Sequence, residues 1–234
     1  MTAPGIIAIV PVKALSQAKS RLAPVLSPAA RRRLVLAMLD DVLAVLAATP
    51  AVTRTLVVTA DAEIAAMARA KGAEIVHESE PTSLNGALRT ALHASGCQPD
   101  ARCLILPADV PLATPAEIGV LLAAEPGGAP ASGVGPHRVV IAPSHDGGGT
   151  NALVLTDHDV MGPSFGPDSF NRHLEMAEAL HLAPRVVRLP GLGFDIDTPE
   201  DLRRLSQVER YRWLDAEGVN DPLRWPSPRA HQTA

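Results

Sequence analysis

Aromatic residues are scarce in this chain: two tryptophans, one tyrosine and three phenylalanines make up 3% of its 234 residues. Its core must therefore be built from Ala, Leu, Val and Ile. A length of 234 residues is enough for one α/β domain with a sizeable core, or for two small domains at most, and 47% hydrophobic residues is the range of an ordinary globular protein. Cysteine is nearly absent. Cys97 and Cys103 lack CxxC or metal-ligand spacing and are too few for a disulfide framework, so they read as reduced, packed thiols. No run is long and apolar enough to span a bilayer. The first strand signal begins about five residues in, which leaves no room for a signal peptide and makes the expected location the cytoplasm. Positive charge is not in excess either. A formal net charge of −4 argues against a general nucleic-acid or anionic-membrane surface.

What is present is an alternation of strand and helix signals. The apolar run Ile6–Val10 leads into a loop carrying Lys13, Lys19 and Arg21 and no acid. Helices are expected from Pro28 to about Ala48 behind a Ser27 cap, from Ala62 to Lys71, from about Ala87 to Ser95, from Pro115 behind Thr114, from Asp168 to about Leu180, and from Pro199 behind Thr198. Strands are expected at Thr55–Thr59, Ala73–Val76, Cys103–Pro107, Val139–Ala142, Ala152–Leu155 and Val186–Leu189. Apolar rather than alternating strands in this order predict a mainly parallel sheet with helices on both faces. Residues 1–212 form the expected domain, and 213–234 an expected partly ordered tail.

In such a fold, ligands collect at the carboxyl ends of the strands. A cationic loop there suits a polyphosphate or another multiply charged anion. The loop has neither GxxxxGK[ST] nor GxGxxG, which excludes the two commonest nucleotide loops. Arg31, Arg32 and Arg33 are either a solvated face or a rim adding positive potential beside it. Asp109 follows a buried strand. Asp195 and Asp197, two apart in an extended segment, can share a face. Hard oxygen ligands of this kind suit Mg²⁺ held together with substrate phosphates, although Asp197 can equally cap the last helix. Gly147–Gly149 is either an N–H nest for an anion or a loose hairpin. A helix starting near Asp168 or Ser169 either offers free N–H groups to an anion or is simply capped. His173 reads as a packing or surface residue rather than a base.

Five segments in this order, VKALSQAKSRLAPVLSP, SLNGAL, ILPADVP, GGGTNAL with FGPDSFNRH, and FDIDTPEDL, resemble the 2-phospho-L-lactate or phosphoenolpyruvate guanylyltransferase family of coenzyme F420 biosynthesis. The resemblance spans about Ile6 to Leu202. It implies a single-domain GT-A-like nucleotidyltransferase fold that uses GTP and Mg²⁺. The implied reaction transfers GMP to phosphoenolpyruvate, 2-phospho-L-lactate or 3-phospho-D-glycerate and releases pyrophosphate. By position, it implies that Lys13, Lys19 and Arg21 hold the triphosphate, and that Leu84 and Asn85 lie near the guanine. Asp109 and Asp195, with Asp197 as a further ligand, would hold the metal, and Thr150, Gly166 and Ser169 would receive the acid. Lys19, Arg21 and Asp109 would act at the reacting phosphorus. Another nucleotidyltransferase of the same fold and a non-catalytic nucleotide-binding module stay open as alternatives, as does a homodimer packed through the tail.

Overall fold

The computed structural model describes residues 5–77, 83–96, 102–124, 139–156 and 161–221. Strand β1 (Ile6–Pro11) is buried along nearly its whole length. It alternates its side chains between two cores: Ile6, Ala8 and Val10 enter one, Ile7 and Ile9 the other. A strand buried on both faces requires helices on both sides of its sheet. The first core receives α1 (Pro28–Ala47), α2 (Ala62–Ala70), α4 (Pro115–Ala123), α6 (Pro199–Leu205) and the short α7 (Trp213–Ala216). The second receives α3 (Leu84–Ala94) and α5 (Ser169–Ala179). Leu34, Leu39 and Leu46 of α1 are fully buried, each stabilising the fold by roughly 2 kcal/mol.

The sheet also contains β2 (Val52–Thr59), β3 (Glu74–His77), β4 (Cys103–Ile105), β5 (Val139–Pro143), β6 (Thr150–Leu155) and β7 (Arg185–Val186). Its order is β3-β2-β1-β4-β6-β5-β7. All the described strands run the same way except β6, which is antiparallel to both β4 and β5. That single reversal brings the first residues of β6 to the same edge as the last residues of β1 and β4, where ligands bind in this architecture.

Local rules account for most boundaries. Ser27 accepts the Ala30 N–H, with Pro28 in the first turn of α1. Thr114 with Glu117, and Thr198 with Asp201, form complete capping boxes. Helix α3 starts earlier than its apolar spacing suggests, because Ser83 accepts the Gly86 N–H and draws Leu84 into the first turn. Strand β4 is shorter than expected: Leu106 still donates to Ile9 O, but Pro107 has no N–H to continue the ladder. The late strand is also short, ending at Val186 with one more bond from Val187 N–H to Ile141 O.

Cys103 is disulfide-bonded, which corrects the reduced-thiol expectation for that residue. Too few cysteines for a framework does not preclude a single bridge. Cys97 lies outside the described residues, as do the Gly- and Pro-containing stretch 125–138 and everything beyond Asp221, Trp225 included. Leu214 and Val219 are buried in the first core, and the Arg33 guanidinium lies 4.0 Å above the Trp213 ring. No helix among the described residues is long and apolar enough to cross a membrane.

Candidate active site

A cleft of about 650 Å³ opens at the carboxyl edge of the sheet. One wall is the loop after β1. Its course is fixed by Asp61, which accepts the Leu15 N–H on Oδ2 at 2.9 Å while its Oδ1 caps α2. The loop ends in Lys19, a non-glycine residue held in the left-handed region at φ 51°. That conformation turns the Lys19 side chain inward, leaving it only 11% exposed. Its Nζ donates to Asp109 Oδ2 at 2.7 Å and to Asp197 Oδ1 at 2.9 Å. Arg21 is exposed and reaches Asp197 Oδ2 at 3.3 Å, and Lys13 stands at the rim of the same cleft.

The carboxylates arrive from two segments. Asp109 follows β4, and Asp195 and Asp197 flank the fully buried Ile196. Period-two alternation therefore puts both acids on the cleft side. The cap of α6 is made by Thr198 and Asp201, so the Asp197 carboxylate is free of that task and pairs with Lys19 instead.

The charges tune one another. Burial would depress the Lys19 ammonium, yet Asp109 and Asp197 more than offset it and raise its pKa. For Asp197, burial is outweighed by Lys19, then Arg21 and Lys13, and its pKa is lowered. Among the described residues Asp195 has no lysine or arginine partner, and the nearest basic group is the His145 ring, with Nδ1 3.7 Å from Asp195 Oδ1. Burial, with the charges of Asp109 and Asp197, raises its pKa, despite a hydrogen bond from Asn151 Nδ2 at 3.1 Å. Three basic side chains and five aspartates (Asp109, Asp146, Asp168, Asp195 and Asp197) line the cleft. Among the described residues, no three His, Cys, Asp or Glu side chains converge closely enough to form a metal centre as they stand.

The opposite wall is built from the turn between β5 and β6, the segment 161–168 and the start of α5. The glycine run turns out to be a hairpin element rather than an anion nest. Gly147 N–H goes to Ser144 O, Gly148 N–H to Asp146 Oδ1, and Gly149 N–H to Ser144 Oγ. Thr150 and Ser169 are both buried and both line the cleft. Gly166 lines it too, at φ +125°, where an added Cβ would also meet Arg172 Nη2 at 3.3 Å. Asp168, at φ 54°, does not cap α5; its Oδ1 takes the Asn171 amide instead.

Leu84 lines the cleft, but Asn85 does not. The Asn85 amide is spent on the backbone of Phe165, donating to its carbonyl at 2.9 Å and accepting its N–H at 2.7 Å. Arg31, Arg32 and Arg33 are likewise engaged elsewhere, with Leu26 O, Glu63 and Trp213. Two contributors escaped the sequence reading, Asp61, which holds the loop, and Asn151, which holds Asp195; His173, expected only to pack or to lie at the surface, is buried behind Thr150. Asp61 had a local signal, as the acid before a helix. Asn151 and His173 are placed only by the tertiary fold.

A largely parallel sheet with one reversed strand, and a cleft pairing a cationic loop with aspartates, define a protein of the nucleotidyltransferase class. A solved nucleotidyl transferase from Methanothermobacter thermautotrophicus has the same fold, at a TM-score of 0.65 and 18% identity over 91% of this chain and 99% of that one. Residues 6–207 match the family described as guanylyl transferase CofC like, and the chain belongs to it. A phosphoenolpyruvate guanylyltransferase from Sphaerobacter thermophilus is 40% identical over 86% of this chain and 92% of its own length. A 2-phospho-L-lactate guanylyltransferase from Methanothermobacter thermautotrophicus is 38% identical over 83% of this chain and 81% of its own.

Proposed function

We propose that this cleft transfers GMP from GTP to a phosphorylated three-carbon acid, phosphoenolpyruvate or 2-phospho-L-lactate, with 3-phospho-D-glycerate as the third acceptor to be tried. The observation that carries the reading is the arrangement along one cleft: Lys19 between two aspartates, beside Lys13 and Arg21, facing the buried hydroxyls of Thr150 and Ser169. The names of the similar enzymes support it, as does the family resemblance, which also suggests a cytoplasmic role in coenzyme F420 assembly.

The chemistry needs little covalent help. An oxygen of the acceptor phosphate, already anionic, attacks the α-phosphorus of GTP. The bond from that phosphorus to the bridging oxygen breaks, and pyrophosphate leaves. No general base is needed, so the reaction does not call for a histidine or serine dyad. Lys13, Lys19 and Arg21 bind the triphosphate and offset the charge on the departing pyrophosphate. Thr150, Gly166 and Ser169 receive the acid. Leu84 packs near the base, while Asn85 acts through Phe165 on the acceptor side.

The donor set fits Mg²⁺. Aspartates are hard oxygen ligands, they outnumber the cations in the cleft, and an ammonium already stands between two of them. Asp109, Asp195 and Asp197 would hold the ion, which when bound supplies the positive charge needed to screen a polyphosphate from these carboxylates. Incubating the protein with each nucleoside triphosphate and each acid, and measuring pyrophosphate, tests the reading. Release with GTP and one of the three acids is expected; release only with a sugar phosphate would overturn it.

A further inference from the structure

A buried imidazole stands behind Thr150, at the end of the cleft proposed to receive the acid. His173, in α5, is completely buried. Its Nε2 receives the backbone N–H of Ser164 at 2.9 Å. A backbone amide can only donate, so Nε2 must carry a lone pair. Burial, with the charge of Arg172, lowers the His173 pKa to about 4, so the ring is neutral near pH 7. Its one proton is then on Nδ1, which lies 2.9 Å from Thr150 Oγ1 and donates to it. Having accepted that bond, the Thr150 hydroxyl keeps its own proton to donate, and Thr150 lines the cleft. The backbone N–H of Thr150 donates in turn to Ser169 Oγ at 2.9 Å. Ser169 Oγ, having accepted that bond, keeps its own proton to donate, and Ser169 lines the same cleft.

We infer that His173 is a positioning residue for the acceptor: its Nδ1–H fixes the Thr150 hydroxyl as a hydrogen-bond donor, beside the Ser169 hydroxyl, toward an ionised phosphate or carboxylate. This rests on the functional reading that the acid groups bind at Thr150 and Ser169. It sharpens that reading into a rule of selection. An ionised oxygen only accepts, so both donors are satisfied by it. A group that must itself donate, such as an amide N–H, meets two protons.

Steady-state kinetics on the wild type, His173→Asn, His173→Gln, Thr150→Val and the Gln/Val double variant test the inference. The asparagine amide nitrogen reaches the place of Nδ1 and keeps a donor on Thr150; the glutamine amide reaches the place of Nε2 and does not. His173→Gln is expected to raise KM for the acid about tenfold or more, the cost of a lost bond to a charged group, with KM for GTP unchanged. His173→Asn should restore most of that loss, and in the Thr150→Val background His173→Gln should add nothing. Nitrogen-15 shifts of the wild-type imidazole should show Nδ1 protonated and Nε2 bare. Equal defects in the Asn and Gln variants, tracking melting temperature and spread over both substrates, would overturn the inference, as would an Nε2-protonated ring. If the wild type turns over none of the three acids, the functional reading itself fails, and this inference falls with it.

Discussion

The carbonyl of Asp109 accepts the backbone N–H of Ile196 at 3.1 Å. This bond joins the two segments that carry the cleft carboxylates. Because Ile196 itself is buried in the core, its neighbours Asp195 and Asp197 are held on the Asp109 side. The acidic half of the site is therefore organised by main chain, and its side chains can be altered singly without dismantling it.

Asp109→Asn is the first such change. The amide keeps the shape but loses the charge that pairs with Lys19. Turnover is expected to fall by about 10²–10³, the range for removing one electrostatic contributor to a transition state, while the protein stays folded. Pyrophosphate release and a thermal melt check the two halves. Unchanged turnover would remove Asp109 from the machinery.

Asp195→Asn should separate stability from activity. The Asp195 pKa is raised by burial and by the two neighbouring carboxylates, so its ionised form costs stability above its unfolded value. An asparagine retains an oxygen to accept the Asn151 bond and carries no charge. At pH 7 without added metal the variant should melt higher by about 1–3 °C yet be inactive. A lower melting temperature would contradict the proposed repulsion.

Lys19→Met tests the opposite sign. Asp197 is held below its ordinary value of 3.8 in the folded protein, in part by Lys19. Stability from that pairing is present above this value and is lost as pH falls through the folded pKa. The stability gap between wild type and variant should thus be widest near neutral pH and narrow below about pH 4. Denaturant titrations across that range would reveal it; a gap that does not change with pH would mean that the ion pairs contribute nothing.

For His173 the window lies higher. Its pKa is about 4 in the fold against 6.5 unfolded. The unfolded chain binds the extra proton first, so stability rises with pH between those values and is lost as pH drops through them. Wild type should lose on the order of 3 kcal/mol more than His173→Asn over this interval. Parallel stability profiles for the two proteins would argue against a neutral, buried ring.

Asn85→Ala should loosen Phe165 rather than alter base choice. Two hydrogen bonds to the Phe165 backbone are removed, each worth about 1 kcal/mol. The acid KM should rise about tenfold with the GTP-to-ATP preference unchanged. A switch in nucleotide preference would instead return Asn85 to the base.

What could be read from sequence alone depends on the range of the interactions. The cationic loop was legible because an apolar strand ran into three uncompensated cations. The shared face of Asp195 and Asp197 was legible because it needs only the period of an extended chain. Gly147–Gly149 left two readings open, since glycine permits both, and the choice fell to the side chains of Ser144 and Asp146. Asn85 and Phe165 are 80 residues apart, and no local pattern encodes their bond. His173 looked like packing, which in part it is; its second role depends on Thr150, which the reversed strand carries to it.

That reversed strand has a further consequence. Because β6 enters the site at its beginning, Thr150, Gly166, Ser169 and His173 all fall within one contiguous piece of the chain, whereas the residues proposed to hold the triphosphate and the metal are scattered from Lys13 to Asp197. On the proposed reading, acceptor preference would be carried as a block. A chimera that exchanges residues 150–173 with those of a relative should carry the donor relative's choice of acid across while keeping the host's nucleotide.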